Sequence, residues 1–273
     1  MKSKDLYPAI FSRHAAAYED RLEQVMSRGE ARGRQRVIDL VQARPGMRIL
    51  DIACGPGNLS ARLAALVAPG GEVVGVDLAP GMIGRARARG IANARFEVMD
   101  MERLELADAS FDAAACGHGL QFAPDLDRAL REARRVLRTR SKFAASVPVG
   151  SPSHGVQDLL DSVVNELLPP APRAIDQETT RQTVSDPDAL ASAVRNAGFA
   201  SAYVEEVEET VVWKSAEDLV GRLASWWDCA ARLEGVDDAG RAGFIAQATK
   251  VLRREHPGVI ETSARNLVMF ATA

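Results

Sequence analysis

Three acids stand at the ends of three short apolar runs, and their spacing carries the first chemical statement of the chain. Asp51 follows Ile49-Leu50, Asp77 follows Glu72-Val73-Val74-Gly75-Val76, and Asp100 follows Ala94-Arg95-Phe96-Glu97-Val98-Met99. After Asp51 comes Ile52-Ala53-Cys54-Gly55-Pro56-Gly57-Asn58-Leu59-Ser60, and then Leu59, Leu63, Leu66 and Val67 recur with helical period. A strand, a glycine-bearing turn and a helix in that order let backbone N–H groups approach a ligand closely. An acid about twenty residues further on, at the tip of the next strand, is where a doubly wound sheet holds the two hydroxyls of a ribose. The pattern predicts a site for a nucleoside cofactor.

Asp51 and Ser60 narrow the choice of nucleoside. In the dinucleotide fingerprint three glycines occupy places that here are Gly55, Gly57 and Ser60. Serine in third place and a carboxylate at the strand end disfavour a pyrophosphate, and with it an NAD-type oxidoreductase. The same carboxylate suits a ligand that carries an ammonium and a sulfonium. The window Asp51-Ile52-Ala53-Cys54-Gly55-Pro56-Gly57 resembles motif I of class I S-adenosylmethionine-dependent methyltransferases. Ala53 departs from the motif's glycine in the manner of the ubiquinone/menaquinone methyltransferase-like branch (methyltransferase type 11).

The resemblance runs from about Arg44 to Pro148 and more weakly through the tail. It implies S-adenosyl-L-methionine as cofactor, S-adenosyl-L-homocysteine as product, and a Rossmann-like α/β fold. That fold has a seven-stranded, mostly parallel sheet with an antiparallel last strand, plus a helical cap. It also implies a cofactor set of Asp51, Ala53, Gly55, Gly57, Asp77, Leu78, Met82, Asp100, Met101, Cys116 and Tyr18. In it, Met82 packs on the adenine, Asp100 takes the adenine amino group, and the next backbone N–H meets a ring nitrogen. Tyr18 and Met82 read equally well as core side chains on amphipathic helices.

Gly117-His118-Gly119-Leu120-Gln121-Phe122-Ala123-Pro124-Asp125 resembles the fourth-strand loop of the same branch, which lies beside the transferable methyl. His118 is the candidate catalytic base, since its ordinary pKa suits proton transfer at neutral pH; the competing reading is a residue that shapes the pocket. Gln121 would orient an acceptor or cap the next helix. With His118, Gln121, Phe122 and Trp226 form the expected substrate-binding set, and Leu120, Trp213 and Trp227 are further candidates for an apolar chamber.

These residues need a scaffold, and the chain supplies it in order. Residues 1–43 form an expected helical cap segment with breaks at Gly29 and Gly33. Residues 44–150 form the cofactor-binding core: strands at Ile49–Ile52, Glu72–Asp77, Ala94–Met99, Ser110–Cys116 and Lys142–Val147, alternating with helices. The last of these helices places Leu126, Ala129, Leu130, Ala133 and Leu137 on one face and five arginines elsewhere. Where the family has Pro-Gly-Gly, this chain has Thr139-Arg140-Ser141 as the turn into strand five. Residues 151–198 are an expected cap insertion and helix, and residues 199–273 two strands (Tyr203–Trp213 and Asn266–Thr272) around a helical insertion. All four segments belong to one catalytic domain.

At 273 residues and 47% hydrophobic content, the chain can bury a full core. A net charge of -3 argues against a nucleic-acid footprint, which needs a basic face. Cys54, Cys116 and Cys229 are few, odd in number and scattered, which suits a reducing cytoplasm and no metal cluster. The start leads into no apolar signal core, and no stretch is long enough to span a bilayer. The expected function is methylation of a small, partly apolar or aromatic acceptor at O, N or C, in quinone or secondary metabolism. The alternative is an S-adenosylmethionine-binding protein without methyl transfer, a cyclase or a binding module. Oligomeric state is left open, a homodimer being one arrangement the sequence allows.

Overall fold

The computed structural model describes residues 1–150, 155–223 and 226–273; the expected start of the cap insertion at residue 151 lies outside them. β1 (Arg48–Ile52) lies between β2 (Glu72–Asp77) and β4 (Phe111–Gly117), parallel to both, with Asp51 opposite Gly75 on one side and Ala115 on the other. Ile49, Leu50 and Ile52 are all buried, because packed side chains cover both faces of the sheet. A strand covered on both faces reads as a continuous apolar run rather than an alternation. β3 (Ala94–Val98) extends the sheet beyond β2, and β5 (Leu137–Pro148) beyond β4. β7 (Ile260–Thr272) runs antiparallel between β5 and β6 (Ser201–Trp213), giving the order β3-β2-β1-β4-β5-β7-β6. The expected seven-stranded, mostly parallel sheet is present. Its order reverses between β1 and β4, and a ligand crevice opens outside their carboxyl ends.

α4 (Asn58–Val67) and α3 (Arg32–Val41) bury Leu59, Leu63, Val67, Val37, Ile38 and Val41 on one face of the sheet. α6 (Leu126–Val136) and α9 (Pro187–Asn196) bury Leu126, Leu130, Leu190 and Val194 on the other. α5 (Pro80–Ala88) starts with proline in its first turn, as expected, where the missing N–H costs nothing.

Several expectations need correction. The first helical stripe is two helices, α1 (Ser3–Arg13) and α2 (Ala15–Ser27), broken at His14 as well as at Gly29. Gly33 is no break. It lies in the first turn of α3, where a Cβ would stand 3.0 Å from Asn266 and Glu209. Leu66 points to solvent, and Leu137 begins β5 rather than ending a helix. The expected turn at Thr139-Arg140-Ser141 is a bulge within β5: Phe111 pairs with Leu137, but Ala113 pairs with Lys142. Arg140 takes the left-handed backbone there (φ 66°), and its N–H donates to the Ala273 carbonyl at 2.8 Å. β7 begins six residues earlier than expected, at Ile260 rather than Asn266. Its outer half leaves the sheet core, and so shows no apolar pattern in the sequence.

That outer hairpin becomes a wall of the cap. Trp213 and Ile260 pack with α7 (Val156–Leu167), α10 (Ala216–Leu223), α11 (Trp227–Leu233) and α12 (Asp238–Glu255) around a second core. The two insertions, distant in sequence, therefore share one layer. Arg232 is buried in it and donates to the carbonyls of Pro169 (2.6 Å), Val164 (2.9 Å) and Leu168 (3.2 Å). A guanidinium there satisfies the open carbonyls at the end of α7 and complements its dipole.

Candidate active site

The loop after β1 is shaped by three left-handed residues, Ala53 (φ 54°), Gly55 (φ 55°) and Gly57 (φ 80°). Space is open where a Cβ at Gly55 would stand, so this is the point of free backbone approach. Gly57 serves packing instead: a Cβ would press on Ala86 at 3.2 Å and Phe96 at 3.3 Å, and the residue does not border the cleft. Ala53 accepts a backbone conformation that favours glycine, and its methyl group leaves no room opposite. A Cβ at Gly119 would lie 2.4 Å from that of Ala53.

The three acids meet around this loop in different states. Asp77 is held by main chain, with Oδ2 accepting from the Gly55 N–H (2.9 Å) and Oδ1 from the Ala79 N–H (2.8 Å). Burial raises its pKa, and hydrogen bonds from Ala79, Gly55 and Leu78 oppose the rise. Asp51 is fully buried and accepts on Oδ2 from the Ser60 hydroxyl at 2.5 Å. Its Oδ1 is buried with no partner among the described residues. Burial, with the Asp77 charge adding, pushes its pKa to about 7 against the opposing Ser60 hydrogen bond. Asp100 is bound by Lys4 of α1, whose Nζ lies 2.6 Å from Asp100 Oδ2 and 2.5 Å from Glu102 Oε2. That bridge ties α1 across the crevice.

The cleft encloses about 790 Å³, including its open mouth, within the range of small-molecule sites. Ala53, Gly55, Asp77, Leu78, Met82, Asp100 and Met101 border it on the sheet side, and Lys4, Tyr7, Phe11 and Tyr18 on the helical side. Met82 is buried in contact with Ala15 and Ala79, beside Phe11 and Tyr18. A second hollow of about 290 Å³ adjoins it, sharing Tyr18, Ala53, Gly55 and Gly117 and adding Asp51 and Arg34. Arg34 Nη2 donates to the Tyr18 hydroxyl at 3.3 Å. The unpartnered Asp51 oxygen and the Arg34 guanidinium thus give this hollow one acidic and one basic wall, a match for an amino acid group bearing both charges.

His118 borders the cleft in the left-handed conformation (φ 63°), its N–H donating to the Ser146 carbonyl at 2.9 Å. Burial first, then the Arg34 charge, drives its pKa well below the ordinary value, while a hydrogen bond with Asn266 works the other way. The ring is therefore neutral at physiological pH. Phe122 borders the cleft within an aromatic group of Tyr7, Phe11 and Trp227, with centroids 5.0 to 6.2 Å from its own.

Other expected residues do not line the cleft. Cys116 is in the sheet core, where burial pushes its thiol to about 12. Gln121 turns back on its own loop, donating to the His118 carbonyl at 2.9 Å; Asp125 caps α6 instead. Leu120 and Trp213 are core residues, and the Trp213 indole donates to Thr262 Oγ1 at 2.8 Å. Trp226 carries the guanidinium of Arg21 at 4.3 Å from its ring centroid and does not border the cleft.

Lys4, Tyr7, Phe11, Arg21 and Arg34 were not among the expected site residues. For the arginines a signal was present. Arg34 precedes Val37, Ile38 and Val41, and Arg21 falls between Tyr18 and Leu22-Val25, so each is a charge on an apolar stripe. A buried charge without an obvious partner marks a site, since it is rarely tolerated otherwise.

Comparison with known proteins bears on this geometry. A family model described as a methyltransferase domain matches residues 49–140. Nocamycin O-methyltransferase of Saccharothrix syringae is 30% identical over 241 residues, covering 82% of this chain and 84% of that protein. The ubiquinone/menaquinone biosynthesis C-methyltransferase UbiE of Shewanella oneidensis is 36% identical over 161 residues, covering 57% of this chain and 63% of that one. The chain spans less than two thirds of the length of the quinone methyltransferases it matches, 62% and 63% in two of them. Among solved structures, a methyltransferase-named protein of Bacillus halodurans superposes with TM-score 0.56 at 17% identity, covering 88% of this chain and 97% of that one, a likeness of fold. Sheet order, acid-tipped strands, glycine-bearing loop and near full-length similarity agree: the chain belongs to the class I S-adenosylmethionine-dependent methyltransferases, in the ubiquinone/menaquinone methyltransferase-like branch.

Proposed function

We propose that this chain transfers a methyl group from S-adenosylmethionine to a small, partly apolar or aromatic acceptor in quinone or secondary metabolism. The observation that carries the reading is the unpartnered Oδ1 of Asp51 at a hollow continuous with the main cleft. Asp51 would receive the ammonium, Arg34 the carboxylate and Asp77 the ribose hydroxyls. Asp100 and the Met101 N–H would meet the adenine, with Met82 against its face. Lys4 shares Asp100 and would have to yield to the adenine amino group or stay paired through Glu102.

When bound, the cofactor supplies a methyl already activated on a sulfonium, so alignment and exclusion of water contribute most of the rate. Tyr7, Phe11 and Phe122 exclude water on the helical side. His118 is neutral and so free to accept a proton, yet its depressed pKa makes it a weak base. The sequence relatives named above are methyltransferases, which does not favour the alternative of a cyclase or binding module. No helix among the described residues is long and apolar enough to cross a membrane, and the three cysteines are free and buried. We infer a cytoplasmic setting from the latter.

Calorimetry with S-adenosylmethionine, S-adenosylhomocysteine and NAD tests the cofactor: the first two bind and NAD does not. Methyl release over a broad acceptor panel tests the transfer, and cofactor binding with no release would favour the alternative. In His118→Gln, a rate within about threefold of the parent removes His118 as the base.

A further inference from the structure

On the α3 side of the sheet, β5, β7 and β6 carry apolar side chains until they near the cleft, and there the pattern changes. Ala144, Val268 and Val207 pack with α3 and α4. Two residues nearer the cleft, on the same face, stand Ser146, Asn266 and Glu209. Their exposures are 0, 1 and 8%, a placement a fold keeps only where partners or a task compensate. Gly33 of α3 makes the room: its N–H donates to Glu209 Oε1 at 2.8 Å, and a Cβ there would stand 3.0 Å from Asn266 Cγ and from Glu209 Oε1. His118 joins this group from the cleft side. Gly117 pairs with Ser146 and looks toward Leu59 and Arg34, so strand alternation would send the next residue to the opposite face. The left-handed backbone of His118 (φ 63°) turns its ring back, near enough for Asn266, Arg34 of α3 and Arg21 of α2 to act on it. Such a conformation at a non-glycine residue is a cost of the kind kept at functional sites. Asn266 acts on Glu209 as well, and Glu209 is the carboxylate that offsets the two arginines. Asn266 Nδ2 and His118 Nε2 are buried with no partner among the described residues, and contacts of this kind tighten when a site is loaded.

Resting on the methyltransferase reading, we propose that Asn266 is a positioning residue that fixes the tautomer of His118, with Glu209 behind it. A carboxylate can only accept, so Glu209 draws the Asn266 amide N–H and turns the amide oxygen toward the ring. That oxygen takes the one N–H of a neutral imidazole, and the other ring nitrogen keeps its lone pair. The acceptor then brings a hydroxyl or another proton-bearing atom. As that atom's lone pair attacks the methyl carbon, the carbon–sulfur bond breaks with its pair staying on sulfur, and the proton passes to the ring. The imidazolium returns the proton to water. Products are the methylated acceptor, S-adenosylhomocysteine and one proton.

The test is a two-bond nitrogen–proton correlation spectrum of the histidine rings in the full chain saturated with S-adenosylhomocysteine. The chain has four histidines, and His118→Gln identifies the signal that belongs to His118. In the parent this ring should be neutral and in one tautomer from about pH 6 to about pH 8. Asn266→Ala should turn the signal into that of a mixture of both tautomers, with S-adenosylhomocysteine affinity kept within about threefold. Asn266→Asp keeps the shape and puts a carboxylate against the ring. It should raise the pH at which His118 protonates by about one unit or more, and it carries the test should Asn266→Ala not fold. A mixture already present in the parent, a single tautomer that survives Asn266→Ala, or an unmoved protonation midpoint in Asn266→Asp overturns the proposal and leaves the methyltransferase reading standing. Failure to bind S-adenosylhomocysteine at all strikes that reading instead.

Discussion

The two halves of the cleft are built by different means. On the sheet side, proposed above for the adenosine, Asp77 is fixed by backbone N–H groups of Gly55 and Ala79, which move only if the loop itself moves. At the adjoining hollow the charge on the helical side is a long side chain, Arg34 of α3, donating to the Tyr18 hydroxyl. Main-chain clamping suits a group that is the same in every turnover. Side-chain charges on covering helices can be exchanged without disturbing the sheet, so that wall of the site lies where change is cheapest.

The comparison can be broken first at Asp77. Asp77→Ala removes the expected ribose ligand and two backbone anchors, and should weaken S-adenosylhomocysteine binding by about 1–3 kcal/mol, measured by calorimetry. Unchanged affinity would count against the ribose assignment. The seam between the halves comes next. Gly119→Ala drives a methyl into Ala53 and should cost about 1–3 kcal/mol of stability in thermal unfolding, with Ala53→Gly restoring part of it. A Gly119→Ala protein as stable as the parent would refute the tight contact.

On the other side, Arg34→Gln should weaken S-adenosylmethionine binding by roughly tenfold and leave decarboxylated S-adenosylmethionine unaffected. Equal losses for both ligands would detach Arg34 from the carboxylate. Asp51 sharpens the contrast through pH. Its folded pKa, about 7, lies above its ordinary value of 3.8, so the unliganded fold favours the protonated form. The associated stability is fully present below about pH 4 and is lost as pH rises toward 7. A bound ammonium reverses the preference. Cofactor affinity should therefore rise with pH up to about 7, by at most about tenfold per unit, and flatten in Asp51→Asn. The smallest effect belongs to Lys4, a partly exposed pair partner. Lys4→Met should change affinity by under about 1 kcal/mol while speeding cofactor release in stopped-flow measurements. Unaltered release would mean that the bridge does not hold α1 over the cleft.

The cofactor half was legible because its information is local. A strand, its terminal acid and the following turn are contiguous, so Asp51-Ile52-Ala53-Cys54-Gly55-Pro56-Gly57 and Asp77 state their geometry within short windows. The resemblance did less well at Cys116, which it put in the cofactor set although the side chain is buried in the sheet core. At Gly33 the local pattern suggested a break where the requirement was contact with Glu209 and Asn266, residues far along the chain.

What the sequence by itself determined, then, is the order of strands and helices, the glycine-bearing bend and the acids at the strand tips, since backbone geometry and apolar period follow from neighbouring residues. Only the tertiary structure decided which helix lies over the cleft, that Lys4 reaches Asp100, and that Arg21, Arg34 and Asn266 come near enough to His118 and Glu209 to act on both. Those contacts join α2, α3, β6, β7 and the loop after β4. A charge on an apolar stripe declares that it needs a partner, but the partner is chosen by packing across the whole chain, which no local window contains.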